Sequence, residues 1–494
     1  MTDKHYIMTD TKTCLKISFL ILFCCFSSCF LSAQAAFQDK GLTEAGLKEL
    51  AIEFVRKGDY GKAAIQLRAY TQLKPDDCKA FASLGDVEYK RKQYWESVAA
   101  FSQALELCPE EIAWMHDRGN AYYSLNEFEK ALSDFDECIK LSPDFAKAYY
   151  MRGQCYAGLR AYPLALDAYN TSIKLQPIYA MAYNNRAVVK SILKDHDGAL
   201  EDYNKAVSLD PNQSVLYQNR GRLKAQLGQH GSALSDLNKA LELSANEPNV
   251  LLQRGIVKRQ LGDYVGSETD FDRAIRLSPT PSAAMYYERG VNLYLWRKYD
   301  IVLDALNKAL DLQPNYPEVL YQKALFFLLI NHDDEAATTY LNQSLLQKVD
   351  YADALRVRGD IYYQKNNFEK AIADYSKILM SEKEDETVRL HRANAYRKSE
   401  NFRSAIDDYT SVIQLNPSNE QAYQGRALSK FELGESRSAL VDMDKTLDIT
   451  PNNKEAFYNR ASIRLSLNDQ LGACQDFQQA ANLGLEKAKA KVCK

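Results

Sequence analysis

The sequence predicts an all-α fold, a solenoid of antiparallel helix hairpins, and three observations lead to it. A dipeptide of arginine followed by glycine or alanine, from Arg118-Gly119 to Arg460-Ala461, recurs every 34 or 35 residues, with Lys323-Ala324 filling the one gap. Each period holds two stretches with apolar residues at spacings of three and four, the pattern of amphipathic helices. The segments between them, such as residues 227–229, are short enough to make the two helices antiparallel neighbours.

Composition agrees with an ordered chain and excludes one class of partner. Apolar residues make up 46% and charged residues 26% of the 494 residues, with only 21 glycines and 13 prolines. A chain of this length exceeds one ordinary hydrophobic core, so several domains or a repeat array are expected. The net charge of −3 offers no basic surface for phosphate groups, so we expect no nucleic-acid partner.

The first 35 residues are interpreted as a secretory signal peptide. Lysines at 4, 12 and 16 precede an apolar run of 15 residues at 17–31. Ala33-Gln34-Ala35 then supplies a small-x-small cleavage pattern, which predicts a mature chain beginning at Ala36. The chain is therefore expected to be exported, to a periplasm, a secretory lumen or the medium.

Two alternatives for this segment stay open. Residues 17–31 could be retained as a membrane anchor, although 15 residues are short for a bilayer span. Lipid attachment at Cys29 is the other, because residues 26–29 resemble a bacterial lipobox with Phe26 where leucine is usual. A membrane contact is expected only if the segment is retained.

After a short linker at 36–43, thirteen repeat units fill residues 44–487. Twelve spacings of 34 or 35 residues separate their first residues, which are 44, 78, 112, 146, 180, 214, 248, 283, 317, 352, 386, 420 and 454. We number the repeats 1 to 13 and count positions from each first residue. A charged capping helix at 488–494, beginning near Leu485, is expected to cover the last apolar face.

The positions within each unit resemble the tetratricopeptide repeat (TPR) family. That pattern has an aromatic at position 4, a small residue at 8, alanine at 20, an aromatic at 24 and proline at 32. Repeat 5 matches it with Tyr183, Ala187, Ala199, Tyr203 and Pro211. The resemblance implies a right-handed superhelical solenoid whose first helices line a concave groove that binds a protein or peptide.

Reflecting each unit about its turn places position 7 opposite position 23, where acids recur. The predicted Arg–Asp pairs are Arg118–Asp134, Arg186–Asp202, Arg220–Asp236, Arg254–Asp270, Arg358–Asp374, Arg392–Asp408, Arg426–Asp442 and Arg460–Asp476. Repeats 8 and 9 carry Ala305 and Thr339 at the acidic position, and in repeat 4 the acid moves to Asp167. We interpret the pairs as structural. The alternative is that the arginines line a groove that binds anions.

Outside the signal, six cysteines fall into three pairs of neighbours in sequence. We predict possible disulfides Cys78–Cys108, Cys138–Cys155 and Cys474–Cys493, since an even cysteine count in an exported chain favours them. The first and third pairs mirror each other about a turn, and the middle pair is about one helical turn out of register. Alternatively, the cysteines replace alanine or leucine in helix packing.

No pattern in the sequence points to catalysis. The histidines lack metal-ligand spacing, and neither a phosphate-binding glycine loop nor a nucleophile elbow occurs. Because the repeats occupy almost the whole chain, they leave no room for a catalytic domain. We predict no enzyme activity, no cofactor and no metal.

The groove predicted from the resemblance changes character in repeats 8 and 9. Family members bind a C-terminal carboxylate with lysine at position 5 and asparagine at 9, but position 5 here carries residues such as His116 and Tyr150. The groove positions of repeats 8 and 9 instead form an apolar set, the central patch: Tyr287, Val291, Tyr294, Leu295, Tyr321, Leu325, Leu328 and Leu329. This patch is predicted to bind an apolar or amphipathic segment. Alternatively, residues 325–330 are only a better-buried helix.

These features predict an exported scaffold that holds a protein or peptide, in envelope assembly or the handling of client chains. The alternative is a membrane-tethered subunit that regulates an enzyme or a transporter. A role in carbohydrate or transferase chemistry would require paired carboxylates or histidines along the groove, and the sequence shows none.

Overall fold

A computed structural model describes residues 43–491, which form two compact units divided after Ala245. Within those residues the regular elements are 27 helices with no strand, in consecutive antiparallel pairs, so the predicted all-α hairpin fold is confirmed. The predicted signal, most of the linker and Cys493 lie outside the described residues. No helix in the described part is long and apolar enough to cross a bilayer.

The first unit contains repeats 1 to 6, each with a 13-residue and a 14-residue helix. Its helices are α1 Glu44–Arg56, α2 Tyr60–Leu73, α3 Cys78–Lys90, α4 Tyr94–Leu107, α5 Ile112–Ser124, α6 Phe128–Leu141, α7 Ala146–Gly158, α8 Tyr162–Leu175, α9 Ala180–Ile192, α10 His196–Leu209, α11 Ser214–Gln226 and α12 His230–Leu243. Capping side chains start several of them. At α3, for example, the Asp77 carboxylate accepts from the Ala80 backbone N–H at 3.1 Å.

The second unit contains repeats 7 to 13. Its helices are α13 Pro248–Gln260, α14 Tyr264–Leu277, α15 Ala283–Leu295, α16 Tyr299–Leu312, α17 Pro317–Leu329, α18 Asp334–Gln347, α19 Ala352–Gln364, α20 Phe368–Ser381, α21 Glu386–Lys398, α22 Phe402–Leu415, α23 Glu420–Glu432, α24 Ser436–Ile449, α25 Lys454–Ser466, α26 Gln470–Asn482 and α27 Glu486–Lys489. In both units each first helix begins at the first residue of a sequence-defined repeat.

Small residues let the two helices of a hairpin approach, as the reflection argument requires. In repeat 3 a Cβ built on Gly119 would lie 2.7 Å from the ring of Phe135, and in repeat 10 one on Gly359 would lie 2.7 Å from Tyr375. Counted from the first residue of each repeat, position 20 is a fully buried alanine in nine of the thirteen repeats, for example Ala131. In these two hairpins, aromatic rings of the second helix therefore pack against small residues of the first helix.

Each hairpin turns through a residue with left-handed backbone, at position 15 in every repeat except the ninth. Helices α17 and α18 are separated by four residues instead of three, and the left-handed residue is His332 at position 16. The extra residue shifts α18 by one place. Tyr340, not Thr339, therefore occupies the structural position 23, which corrects the alignment of that repeat.

The cysteines divide into bonded and packed groups. Cys78 and Cys108 form a disulfide that joins the two ends of repeat 2, as predicted. Cys474 is also disulfide-bonded, while its predicted partner Cys493 lies outside the described residues. Cys138 and Cys155, by contrast, are free and fully buried, so this predicted bond is wrong.

The register of α6 and α7 explains why the middle pair does not bond. Cys138 shares a core cluster with Ala148, whereas Cys155 shares one with Ala131 and Phe135. Along antiparallel helices this pairing separates the cysteines by about seven residues, or roughly 10 Å at 1.5 Å per residue. A disulfide requires Cα atoms within about 7 Å. Each cysteine instead fills a small-residue position in the helix packing.

The C-terminal cap is shorter than the sequence suggests. Helix α27 spans only Glu486–Lys489, whereas a helix from about Leu485 to the end of the chain was predicted. Its Ala488 and the preceding Leu485 are nevertheless buried against Ala480 of α26. Leu485 and Ala488 thus pack against the last hairpin of the array.

Candidate functional site

The predicted Arg–Asp pair is present in all eight repeats named for it, as a bidentate interaction. Arg Nε and Nη2 donate to the two oxygens of the aspartate at 2.5–2.9 Å in Arg118, Arg186, Arg220, Arg254, Arg358, Arg392, Arg426 and Arg460. The same guanidinium reaches the preceding hairpin: Arg220 Nη1 donates to Asn204 at 2.9 Å. We call this arrangement the arginine clamp, since it joins three helices.

The clamps are buried, which decides between the two interpretations of the arginines. In repeat 10 the side chain of Arg358 is 16% exposed and that of Asp374 is 5% exposed. In repeat 6 the Asp236 carboxylate also accepts from Lys224 at 2.8 Å, so two cations hold one acid. The hydrogen bond to Asp408 raises the pKa of Arg392 against the opposing effect of burial. Guanidinium groups committed in this way pack helices together and do not form an anion-binding groove.

Repeats 1 and 2 carry Leu50 and Leu84 at position 7, and three of the repeats with a cation there also depart from the clamp. In repeat 4, Arg152 donates to Asp136 of the preceding hairpin at 3.2 Å, and Asp167 takes no part. In repeat 8, Arg289 donates to Glu268 of repeat 7 at 2.6 Å, and Ala305 is buried at position 23. The acid expected opposite the arginine is therefore supplied by a neighbouring repeat or omitted.

Repeat 9 replaces the clamp with aromatic contacts. The ammonium of Lys323, at position 7, lies 4.5 Å from the ring centroid of Tyr340. Phe327, at position 11, stacks on the same ring with centroids 5.3 Å apart. A cation–π contact and a stacked pair of rings thus occupy the place where other repeats hold an Arg–Asp pair.

Next to these departures lies the central patch, which the sequence assigned to the groove. All eight residues lie on α15 and α17, neighbouring first helices of the second unit. Leu295 and Leu329 are 48% and 53% exposed, and the other six are half-buried. On α17, Phe326 is buried whereas Leu329 is exposed, so this helix contributes both to the core and to the surface. Leu295 and Leu329 are thus accessible, while Tyr287, Tyr294, Tyr321 and Leu328 also pack against the core.

Two tyrosine pairs give this surface a repeating form. The ring centroid of Tyr287 lies 5.5 Å from that of Tyr316, and the ring of Tyr321 lies 5.2 Å from Tyr351. In each pair the first ring is at position 5 and the second immediately precedes the first helix of the next repeat. Tyr316 and Tyr351 were not predicted to belong to the site, although an aromatic residue at the end of each of these two units is visible in the sequence.

The hydroxyls of these four tyrosines make no hydrogen bond within the described residues. Burial raises the pKa of Tyr287 to about 12, with further effects from neighbouring Glu288 and Tyr316, and also raises the pKa values of the other three. All four therefore remain protonated donors at physiological pH. Tyr375 in repeat 10 differs, because its hydroxyl donates to Asp360 at 2.7 Å.

The predicted groove positions after the patch are polar and paired. Asp360 accepts from Tyr375 and lies 3.0 Å from His391 Nδ1, while Arg356 donates to Asp385 at 2.9 Å. Burial alone would raise the pKa of Asp360, but the hydrogen bonds from His391 and Tyr375 outweigh it and lower the value. These groups satisfy one another, unlike the tyrosines of the patch.

The predicted groove positions of the first unit are polar as well. Asn219 donates to Asn184, Asn184 to Asn185, and Asn185 to the hydroxyl of Tyr150, at 2.9–3.0 Å. In repeat 2, burial of the Asp86 carboxyl group raises its pKa to about 6, and the negative charge of Asp117 adds to this effect. No cluster of three or more potential metal ligands occurs in residues 43–491.

Protein-family models match the chain along the repeats found in its sequence. Models described as tetratricopeptide repeat match residues 48–112, 116–179 and 334–386, residues 180–213, and residues 215–247 and 387–419. A search of curated proteins finds no match.

Solved structures share the hairpin fold at low identity. A tetratricopeptide repeat protein from Parabacteroides merdae is 22% identical over 51% of this chain and 98% of its own, with a TM-score of 0.44. The Cut9–Hcn1 hetero-tetramer of the APC/C matches at 14% identity over 88% and 99%, with a TM-score of 0.41. YrrB, described as having an unusual peptide-binding site, matches at 23% identity over 38% and 97%, with a TM-score of 0.34.

Proposed function

The chain belongs to the tetratricopeptide repeat family, whose members are generally non-catalytic scaffolds that bind proteins or peptides, and we propose that it is an exported scaffold of this kind. The partner is an apolar segment that binds to the central patch of repeats 8 and 9. Polar groove positions on either side orient that segment. The protein carries out no reaction of its own and acts by holding its partner, in envelope assembly or in the handling of client chains.

The observation that carries this proposal is the exposure of the patch. Leu295 and Leu329 are about half exposed at equivalent positions of adjacent repeats, beside half-buried tyrosines. Aromatic and leucine side chains on a surface flanked by polar groups are the composition expected of a binding site with a few dominant contacts. The arginines, in contrast, are committed to clamps and leave the patch as the distinctive surface of the second unit.

Export is supported by the cysteines together with the N-terminal sequence. The Cys78–Cys108 disulfide would persist in an oxidising compartment and would be reduced in most cytosols. The small-x-small pattern before Ala36 supports cleavage there. Mass spectrometry of the protein purified from its native compartment should therefore give a chain beginning at Ala36. A chain retaining residues 17–31 and requiring detergent would instead support the membrane-tethered regulatory subunit.

Removing two rings from the patch tests the binding proposal. The variant Tyr287→Ala with Tyr321→Ala should lose most of the partners captured by residues 36–494 from the native compartment, because it deletes the aromatic contacts of two adjacent repeats. Quantitative mass spectrometry of the captured proteins is the measurement. The matched control is Leu346→Ala with Met380→Ala, which truncates two residues that are 77% and 75% exposed on the second helices of repeats 9 and 10.

The comparison between these two variants decides the outcome. Capture lost only in the tyrosine variant supports the patch. Unchanged capture by the tyrosine variant, with its helical content intact by circular dichroism, refutes the patch as the binding site. Equal loss in both variants would also contradict it, because the second helices would then contribute as much as the groove.

A further inference from the structure

The two tyrosine pairs repeat along the groove with the spacing of the repeats. Tyr287 with Tyr316 and Tyr321 with Tyr351 occupy equivalent places on α15 and α17 and on the segments that follow them. The helices α15 and α17 are in contact, and packed helices lie about 8–10 Å apart. The surface therefore presents two aromatic sites separated by about one interhelix distance.

A polyproline II helix has a matching period. It advances about 3.1 Å per residue with three residues per turn, so every third residue returns to the same face after about 9 Å. Prolines at positions i and i+3 of such a segment would each meet one ring pair. Aromatic-lined grooves bind proline-rich segments in this way because the segment is already extended and loses little entropy.

Hydrogen bonding favours the same kind of ligand. A polyproline II segment has no internal hydrogen bonds, so its carbonyl groups need donors from outside. The hydroxyls of Tyr287, Tyr316, Tyr321 and Tyr351 are donors with no partner in residues 43–491. An α-helical ligand satisfies its carbonyls internally and would leave these donors unused. The pattern of donors thus separates an extended ligand from a helical one.

The walls between the ring pairs are partly apolar and partly acidic, because the charge of Glu318 acts on Tyr287, Tyr316 and Tyr351. Val291 and Leu325 lie one turn after the position-5 tyrosines, and both are half-buried. The line of aromatic residues at position 5 ends with Leu252 before it and Arg356 after it. Arg356 is already bound to Asp385. The surface therefore fits two aromatic-bound residues in sequence and disfavours an acidic side chain between them, since Glu318 would repel it.

We propose that the ring pairs of repeats 8 and 9 bind a proline-rich segment of a partner in the polyproline II conformation, with two prolines three residues apart. This inference rests on the proposed function and specifies the chemistry of the segment. Equivalent ring pairs occur in repeats 3 and 4, His116 with Phe145 at 5.3 Å and Tyr150 with Tyr179 at 4.8 Å. Because the first of these contains no tyrosine, the first unit lacks two adjacent tyrosine pairs.

Binding of a fluorescein-labelled decaproline peptide, followed by anisotropy, tests the proposal with the full mature chain. The wild-type protein should bind the peptide saturably. Tyr287→Phe with Tyr321→Phe should weaken binding about tenfold, because two neutral hydrogen bonds are lost while the rings and the fold remain. The matched control is Tyr458→Phe, since Tyr458 is the half-buried tyrosine at position 5 of repeat 13 and should leave the affinity unchanged.

A second probe separates this inference from the function on which it rests. A labelled amphipathic helical peptide of equal length and neutral charge should bind at least tenfold more weakly than decaproline. If the helical peptide binds better, with a loss in Tyr287→Ala/Tyr321→Ala, the patch is a binding site and the polyproline assignment is wrong. If neither peptide binds and partner capture is unchanged in the alanine variant, both proposals fail.

Discussion

Repeats 8 and 9 differ from repeats 10 and 11 both in the interior of the hairpin and on the surface of the first helix. In repeats 10 and 11 a buried arginine clamp joins the helices, and the groove carries charged, paired groups such as Asp360 and His391. In repeat 8, Arg289 pairs with Glu268 of repeat 7 and Ala305 stands at position 23, while in repeat 9 Lys323 lies over Tyr340. The first helices of these two repeats carry tyrosine and leucine on their surface. The backbone is the same hairpin in both regions.

This difference separates what the fold requires from what it permits. Helix pairing needs small residues opposite bulky ones, and both regions provide that arrangement, with Gly359 against Tyr375 and Gly290 against Leu306. The charged clamp is one of two ways to fill position 23. In the second unit the two repeats without the clamp also carry the central patch, whereas repeats 2 and 4 of the first unit place the buried Ala100 and Ala168 at position 23. Variants that exchange the two solutions can therefore test whether the clamp contributes stability or only specifies packing.

The largest effect should come from breaking one clamp. Asp374→Ala leaves Arg358 mostly buried without its carboxylate, which should destabilise the second unit by about 3 kcal/mol. Urea denaturation monitored by circular dichroism, with hydrogen exchange of α19 and α20, measures this. Lys323→Met in repeat 9 is the comparison and should change stability by less than about 1 kcal/mol, because methionine can pack on Tyr340. Equal losses would contradict the distinction between the two regions.

Replacing both partners should recover most of that loss. Arg358→Met with Asp374→Leu replaces the charged pair by an apolar one and should lie within about 1 kcal/mol of the wild type, since an apolar pair of similar volume avoids desolvating two charges. The same urea titration checks it. A double variant as unstable as Asp374→Ala would show that repeat 10 depends on the charges themselves.

The smallest effect concerns acid sensitivity. The pKa of Asp360 is lowered in the folded chain, so its contribution to stability is present above the ordinary value of 3.8 and is lost as the pH falls through the folded-state pKa. Asp360→Asn should remove this part of the loss below about pH 4. Because the side chain is 38% exposed, screening limits the effect to less than about 1 kcal/mol. Unfolding midpoints of both proteins at pH 3 and pH 6 measure it, and parallel profiles would refute it.

Much of the fold follows from the sequence because the period is local. The starts of first helices such as α5 and α17 are visible as returns of the same dipeptide, and the Arg–Asp pairs follow from reflection about a turn of constant length. The same reasoning fails where that length changes. Thr339 was assigned to position 23 because the additional residue lies in the turn, where no side-chain pattern marks it, and the structure places Tyr340 there.

The site was only partly visible for a different reason. The patch on α15 and α17 could be read from position within the unit, but its ring pairs join a helix of one repeat to the segment before the next. A pattern confined to single units does not include such contacts. Likewise, the Cys138–Cys155 assignment assumed adjacent helices in approximate register, whereas core contacts with Ala148 and Ala131 show a larger offset.

The longer turn of repeat 9 has a consequence for engineering. Residues 330–333 accommodate one additional residue, and α18 still buries Ala337 and Leu341 as the other second helices do. Length changes at this corner are thus absorbed without rotating the helix that follows. An epitope or a fluorophore-labelling tag grafted between Ile330 and Asp333 would provide a reporter next to the patch, on a segment where the chain already tolerates a change in length.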